Sequence, residues 1–495
     1  MDSRDGTLVR WPSDVFPAQA WRIAATCRVD FWNTNLPSAP NTVAPAQSLR
    51  TNITYALAGE VFFNLCRLGV VVLLAKFTSA EILGQFDYSL AISAPVVLFC
   101  SLQLKPAFVS DVTGAFPFGA YRALRTIGMI GAALALAAFV AWKARIDRDP
   151  ALSLILLGVA FGKIAHCSAE LYWGVFQKRE RIDLAARSSL LRGAAMLACV
   201  ALCVPVVALA TRGDLHALAR STAAAVITYA ALWWVVLWAH DRPIALQPVG
   251  KKATSDDASR RGVITVDDLR WTWPMLGRLL RQTLPLGVVL LLISLYESAP
   301  RYSLEALPGG KALLGYFSAM SYVALASSLI LTQICVASAN RIATYFQHDR
   351  RAFRRLAGRL LAIAVIMGVV LIIAAWLAGA WFLRTLYRPE YAAFSREFVL
   401  LIVAQAFVLL ANVLGFFVTY MRMFWIQVPV QLTVLIVTLV TAQMWIVGSG
   451  AGGSLDPAAV RGCAMTVLAR AATQAGLLAI CAILGSRRRP TISVG

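Results

Sequence analysis

Residues 284–302 read Leu284-Pro285-Leu286-Gly287-Val288-Val289-Leu290-Leu291-Leu292-Ile293-Ser294-Leu295-Tyr296-Glu297-Ser298-Ala299-Pro300-Arg301-Tyr302. The run is long enough to cross a bilayer as a helix, since about 20 residues span the hydrocarbon. It nevertheless keeps an acid, Glu297, and a base, Arg301. An intramembrane Arg costs about 2.5–3.5 kcal/mol on insertion scales, so such a span needs a wet or paired surface for its charges. That makes the run a lead to function as well as to fold.

Outward from it, the whole chain has the same character. Of its 495 residues 59% are hydrophobic and 14% charged, with a mean hydropathy of +0.69. Soluble domains carry roughly 45–50% apolar and about 25% charged residues, so this is an integral membrane protein. Apolar runs predict all-α spans near 53–75, 84–104, 125–142, 151–173, 189–211 and 217–239, then 283–303, 312–337, 359–381, 397–420, 425–447 and 458–484. That is twelve transmembrane helices, six on each side of the connection 241–282.

The formal net charge is +21. The basic residues sit in short segments between spans, not on a separable domain, so the excess reflects topology and anionic lipid and not nucleic acid. Segments on the side of the N-terminus hold the large majority of the Lys and Arg, which places both termini in the cytoplasm. Residues 1–50 are polar, carry five prolines and lack the apolar core of a cleavable signal, so they read as a disordered cytoplasmic tail. Residues 51–240 and 283–485 then form an N-lobe and a C-lobe, 241–282 a cytoplasmic linker, and 486–495 a basic cytoplasmic tail. The nine cysteines are odd in number, mostly intramembrane and without a C-x-x-C pair, so they read as buried small residues.

Six spans per half mean that the second half starts from the same side as the first, so any repeat is parallel. Leu83-Gly84-Gln85-Phe86 opens span 2 and Leu314-Gly315-Tyr316-Phe317 opens span 8, at an offset of 231 residues.

Three spans carry a polar stripe at helical spacing. Glu60, Asn64 and Arg67 share one face of span 1; Lys163, His166 and Glu170 share one face of span 4; Ser294, Glu297 and Arg301 share one face of span 7. Each stripe is either an internal salt bridge, such as Glu297 with Arg301 one turn on, or part of the lining of a wet cavity between lobes. Asp87, Gln103 and Lys105 of span 2, with Gln405 and Asn412 of span 10, extend the same lining or pack helices together. Gly158 to Lys163 lacks the spacing of a phosphate loop, and the four histidines are too scattered to propose a metal site or any other cofactor. The short outer loops leave little room for the catalytic groups of a glycan polymerase or ligase.

The stretch from Leu83-Gly84-Gln85-Phe86 through Ala94-Pro95 and Leu102-Gln103-Leu104-Lys105 to Asp111 resembles bacterial polysaccharide biosynthesis proteins of the Wzx flippase type. So do the span-7 run and Leu386-Tyr387-Arg388-Pro389-Glu390-Tyr391. This family belongs to the MOP superfamily, with multidrug exporters of the MATE type and the lipid II flippase. The resemblance covers about residues 48–485. It implies two six-helix lobes related by a pseudo-twofold along the membrane normal, a non-enzymatic role, and an address in the bacterial inner membrane. The implied substrate is an undecaprenyl-pyrophosphate-linked glycan, handed on to polysaccharide polymerase and export machinery. Arg67, Lys163 and Arg301 then become the expected receivers of the diphosphate. Arg301 lies about 26 Å along the helix from Leu284, on the exit side. A MATE-like cation-coupled drug antiporter and a membrane glycan polymerase are the rival expectations.

Overall fold

A computed structural model describes residues 49–487, apart from 112–113, 148–149, 212–213, 247–268, 422–423 and 449–456. The N-terminal tail, most of the linker and nearly all of the basic C-terminal tail expected from sequence lie outside these residues. The described residues contain no strand. Twelve helices are long and apolar enough to cross a membrane. Spans 1–6 are Thr54–Phe77, Ala80–Val109, Phe118–Arg145, Ser153–Lys178, Ile182–Ala210 and Leu215–Ala245. Spans 7–12 are Trp273–Glu305, Gly310–Cys335, Arg350–Leu386, Pro389–Thr419, Ile426–Val447 and Pro457–Gly485. The side from which span 1 starts is called here the termini face, and the other the far face.

Spans 3, 7 and 9 begin seven to ten residues earlier than the apolar runs predict. Hydropathy marks only the stretch that sits in hydrocarbon, whereas a helix runs on as long as its backbone bonds are made. Span 6 likewise continues to Ala245 through a π-helical turn, Leu237–Asp241, past the expected start of the linker. Span 2 is broken. Its main helix ends at Ser101, Leu102 and Gln103 both take left-handed backbone with φ 51°, and a short helix Leu104–Ser110 follows. Two consecutive non-glycine residues in that region are costly, so the surroundings must impose the turn. Gly287 supplies part of the reason: a Cβ there would lie 2.8 Å from the Leu102 side chain and 3.1 Å from the Phe99 carbonyl. The glycine of the span-7 run lets that helix lie directly against the bend.

The two halves pack by one plan. In the first, span 4 lies against spans 2, 3 and 6, and span 5 against spans 1 and 6; in the second, span 10 lies against 8, 9 and 12, and span 11 against 7 and 12. Between halves, span 2 meets span 8, span 2 meets span 7, and span 1 meets span 8. Exchanging spans 1 with 7 and 2 with 8 leaves this set unchanged. The pseudo-twofold axis therefore runs along the membrane normal between spans 2 and 8.

On that axis the two helices touch backbone to backbone. A Cβ on Gly84 would fall 1.8 Å from the carbonyl of Lys311, and one on Gly315 would fall 1.8 Å from the carbonyl of Ala80. The two contacts are related by the offset of 231 residues legible in the sequence. Around this crossing both halves share one apolar core, including Leu74, Leu83, Phe86, Leu304, Leu314, Phe317, Tyr387 and Tyr391. Toward the termini face the core divides into two clusters, the first of which still joins the halves through the start of span 7. One cluster joins Leu104, Phe108, Tyr121, Phe176 and Leu237 with Leu276 and Leu279 of span 7; another joins Leu331, Cys335, Phe353, Leu409, Phe417 and Leu478. The halves are thus closed on each other at the far face.

Lipid tails are as apolar as leucine, so burial gives these helices little reason to associate and close packing must supply it. Gly84→Val should therefore cost about 1–3 kcal/mol or more by overpacking. It should lower the melting temperature of the detergent-purified protein, while Gly131→Val, whose Cβ has nothing within 4 Å, should leave it unchanged.

Candidate functional site

The far-face closure is ionic as well as apolar. Arg301 of span 7 donates from Nε to Asp87 Oδ2 of span 2 at 2.7 Å, and Ser318 of span 8 donates to the same oxygen at 2.6 Å. Asp87 and Ser318 are themselves 231 residues apart, so the pseudo-axis passes between them. Asp87 is buried and Arg301 nearly so, with side-chain exposures of 2% and 17%. Arg301 also donates from Nη1 to the carbonyl of Glu297 at 2.7 Å. Of the two readings of the span-7 stripe, the internal salt bridge between Glu297 and Arg301 is not the one formed. At i, i+4 the guanidinium reaches the backbone of its own helix, and the carboxylate of another half offers it a buried charge partner, while Glu297 stays exposed.

Span 1 makes the symmetry-related connection one level deeper. The Arg67 guanidinium lies over the Tyr322 ring of span 8, 5.2 Å from its centroid, with Nη2 3.4 Å from the hydroxyl. Span 1 thus grips span 8 as span 7 grips span 2. Further contacts tie the same face. Lys143 of span 3 pairs with Glu305 of span 7 at 3.7 Å and lies over the Tyr88 ring, and Tyr302 donates to the Ala91 carbonyl. Arg388, in the Tyr387-Arg388-Pro389 segment, donates to the carbonyl of Lys76 at 3.0 Å, and Tyr387 donates to the Ala319 carbonyl at 2.8 Å.

The other predicted residues gather within the first half. Asn64 donates to the carbonyl and to Oε1 of Glu60, so the span-1 stripe is linked along its own helix. His166 stacks on Phe63 of span 1, with ring centroids 5.6 Å apart and planes at 22°. It meets Trp233 of span 6 at 5.6 Å and Trp173 of its own span edge-on at 5.3 Å, and its Nε2 lies 3.8 Å from Glu170. The span-4 stripe is therefore longer than it was read: Lys163, His166, Glu170 and Trp173 continue down one face. Lys105, swung round by the bend after Ser101, lies over the Trp173 ring at 5.8 Å. It also lines a cleft of about 300 Å³ with Pro106, Val109 and Gln177.

So the predicted residues divide into two groups. Asp87, Arg301 and Arg67 join the halves toward the far face, while Lys105, His166 and Glu170 meet around aromatic rings inside the first half, with Lys163 further along the same face of span 4. Gln405 donates to Ser328 within the second half.

Sequence reading missed several members. Arg192, fully buried in span 5, pairs with Asp241 at 2.8 Å and lies over Trp173 and Trp233, while Trp233 donates to its carbonyl. An Arg inside Leu190-Leu191-Arg192-Gly193-Ala194 was the available signal. Arg125 sat at the predicted edge of span 3 and is in fact buried about two turns inside it. Arg470 of span 12 lies over the Tyr296 ring at 5.1 Å. Among the described residues no group of three or more His, Cys, Asp or Glu is placed to hold a metal ion.

Removing one partner of a buried pair strands the other charge, at a cost of about 3–5 kcal/mol. Asp87→Asn and Arg301→Gln should each lower the melting temperature clearly. The double variant should lose less than the sum of the two, as a double-mutant cycle would measure.

No protein-family model matches the chain. It is 21% identical over 370 residues, 74% of this chain and 84% of the other, to the capsular polysaccharide biosynthesis protein CapF of Staphylococcus aureus. Among solved structures it is similar to an inward-facing multidrug resistance MATE family transporter of the MOP superfamily. That match has a TM-score of 0.61 and 11% identity and covers 86% of this chain and 93% of that one. It is also similar to the Vibrio cholerae MATE transporter VcmN, with a TM-score of 0.54, 11% identity and coverage of 88% and 95%. A third is a MOP superfamily transporter from Pyrococcus furiosus reported for the reverse polarity of its binding pocket, with a TM-score of 0.52, 11% identity and coverage of 89% and 96%. The chain has the fold of these solved structures and is a multi-pass membrane protein, in agreement with the fold that the resemblance read from its sequence implies.

Proposed function

We propose that this MOP-fold membrane transporter is a flippase. Its cargo is an undecaprenyl-pyrophosphate-linked oligosaccharide, moved from the cytoplasmic to the periplasmic leaflet of a bacterial inner membrane for surface polysaccharide assembly. Both termini are then cytoplasmic, the termini face admits the substrate, and a polymerase and export machinery consume the product. The observation that carries this reading is the sign of the charge inside the membrane. Lys105, Lys163 and Arg67 have no carboxylate within ion-pair distance among the described residues, and Arg67 and Lys105 each lie over an aromatic ring. A diphosphate is multiply anionic and needs opposite charge to pass a low-dielectric slab. The aromatic faces suit sugar rings, and the capsular relative agrees in kind.

Alternating access follows from the closure. Opening the far face requires Arg301 to leave Asp87, Lys143 to leave Glu305, and spans 2 and 8 to part at their glycines. Rocking of the two halves about that crossing is the expected motion. The rival reading, a cation-coupled drug antiporter, is favoured by the fold likeness to multidrug transporters. It needs acids free in the cavity; Asp87 is taken by Arg301 and Ser318, which leaves Glu60 and Glu297 as the acids that reading would have to use.

Each lost charge-assisted contact should remove about 1.5–3 kcal/mol of substrate binding, or about 10–100-fold. Arg67→Ala and Lys163→Ala, at unchanged membrane abundance, should accordingly reduce glycan export about tenfold or more. Deletion of the gene should leave lipid-linked glycan on the cytoplasmic leaflet. Unpolymerised units on the periplasmic leaflet would point instead to a polymerase, and sensitivity to cationic drugs without glycan accumulation to an antiporter.

A further inference from the structure

The helix of span 9, Arg350–Leu386, has 37 residues and is about 56 Å long at 1.5 Å per residue. Residues 360–383 carry no charge, and their length of about 36 Å crosses about 30 Å of hydrocarbon with a slight tilt. Arg359 therefore stands at the termini-side edge of the hydrocarbon, Arg355 and Arg354 about 6–8 Å beyond it, and Arg351 about 12 Å beyond it. The helix start that hydropathy missed is a projection rich in arginine.

All four of these side chains are exposed. At i, i+3, i+4 and i+8 they share one face of the helix. The opposite face is fixed. Phe353, Leu360 and Ala364 are buried in the cluster that holds Leu409, Val413 and Phe417 of span 10. The Phe353 ring meets Phe346, at the end of the span-8 helix, at 5.5 Å and Phe417 at 6.1 Å. Packing thus holds the arginine face outward, and the helix cannot turn to hide it.

By local physics this is a poor way to begin a helix. Positive charge near an N-terminus opposes the macrodipole. Arg351 with Arg355, and Arg355 with Arg359, are like charges one turn apart, which weaken a helix. Asp349 is the single acid between Glu305 and Glu390, and it caps the helix, accepting from the backbone N–H groups of Arg351 and Ala352 at 2.9 Å each. None of the four arginines has a carboxylate within ion-pair distance among the described residues. A bias of basic residues toward one side of the membrane accounts for their number, but not for their gathering on one face with no acid among them.

We propose that this face of span 9 binds the headgroups of anionic phospholipids in the leaflet on the termini side. The phosphates of that leaflet lie at the depth of Arg359 and within a side chain's reach of Arg355 and Arg354. Their charge offsets both the like-charge repulsion and the adverse dipole, and phosphodiester oxygens suit guanidinium donors. The site stands on the second half, apart from the Arg301–Asp87 seam, and is independent of the cargo.

The test is the thermal stability of the full-length protein in dodecyl maltoside, titrated with phosphatidylglycerol and, separately, with phosphatidylcholine. Phosphatidylglycerol should raise the melting temperature of wild type well beyond phosphatidylcholine, and the difference should shrink as sodium chloride is raised, because exposed charges are screened. An Arg near an anionic surface is worth about fivefold in affinity, so Arg354→Gln/Arg355→Gln should need about thirtyfold more phosphatidylglycerol for half of the shift. Arg354→Lys/Arg355→Lys, which keeps the charge, should retain most of the response. Arg384→Gln, at the other end of the same helix, should respond as wild type. Without lipid the Gln pair should melt no lower than wild type, since it removes like charges from a helix start.

Equal stabilisation of wild type and the Gln pair by phosphatidylglycerol would overturn the proposal, as would equal stabilisation of wild type by phosphatidylcholine. A Gln pair that melts lower than wild type without lipid would mean that a carboxylate of the chain itself covers this face, and would overturn it too. So would stabilisation by polyglutamate but not by phosphatidylglycerol, the sign of an acidic protein partner.

Discussion

Two helices meeting backbone to backbone hold this molecule together. Gly84 and Gly315 each sit against a carbonyl of the opposite helix, at positions where a methyl group would collide. A bilayer gives apolar side chains no reason to leave lipid for one another, so association relies on close approach and on polar contacts that close approach allows. The crossing brings Asp87 within reach of Ser318 and Arg301. A carboxylate that would be expensive in hydrocarbon becomes the acceptor for donors from two helices of the other half. Packing and electrostatics are thus settled at one place, and that place lies on the pseudo-twofold axis.

The same constraint explains the asymmetry of the interior. An ion in the membrane is paired, solvated or bound to a ligand. At the far face the charges are paired, across halves. In the first half they are not all paired: Asp241 binds Arg192, but Lys105 lies over the Trp173 ring and Arg125 Nε and Nη1 have no hydrogen-bond partner among the described residues. The second half repeats the helix plan without repeating this charge. Arg470 there lies over Tyr296, and Glu397 is bound by Arg461.

What the sequence by itself determined was set by local chemistry. Twelve apolar runs, the break between halves, the stripes of spans 1, 4 and 7, and the offset between Gly84 and Gly315 depend only on hydropathy and helical spacing, which the chain carries residue by residue. Tertiary structure alone decided the partners. Glu297 stands one turn from Arg301 in sequence, yet Arg301 binds Asp87, 214 residues away, because the pseudo-twofold brings spans 2 and 7 together. Helix ends were misjudged where charged residues continue a helix beyond its apolar stretch, and that hid Arg125. Arg192 and Trp173 belong to no polar stripe that spacing marks, and only the fold brings them within 5.7 Å of each other. A linear pattern says which face of a helix a residue occupies, but the neighbour of that face is chosen by helix packing.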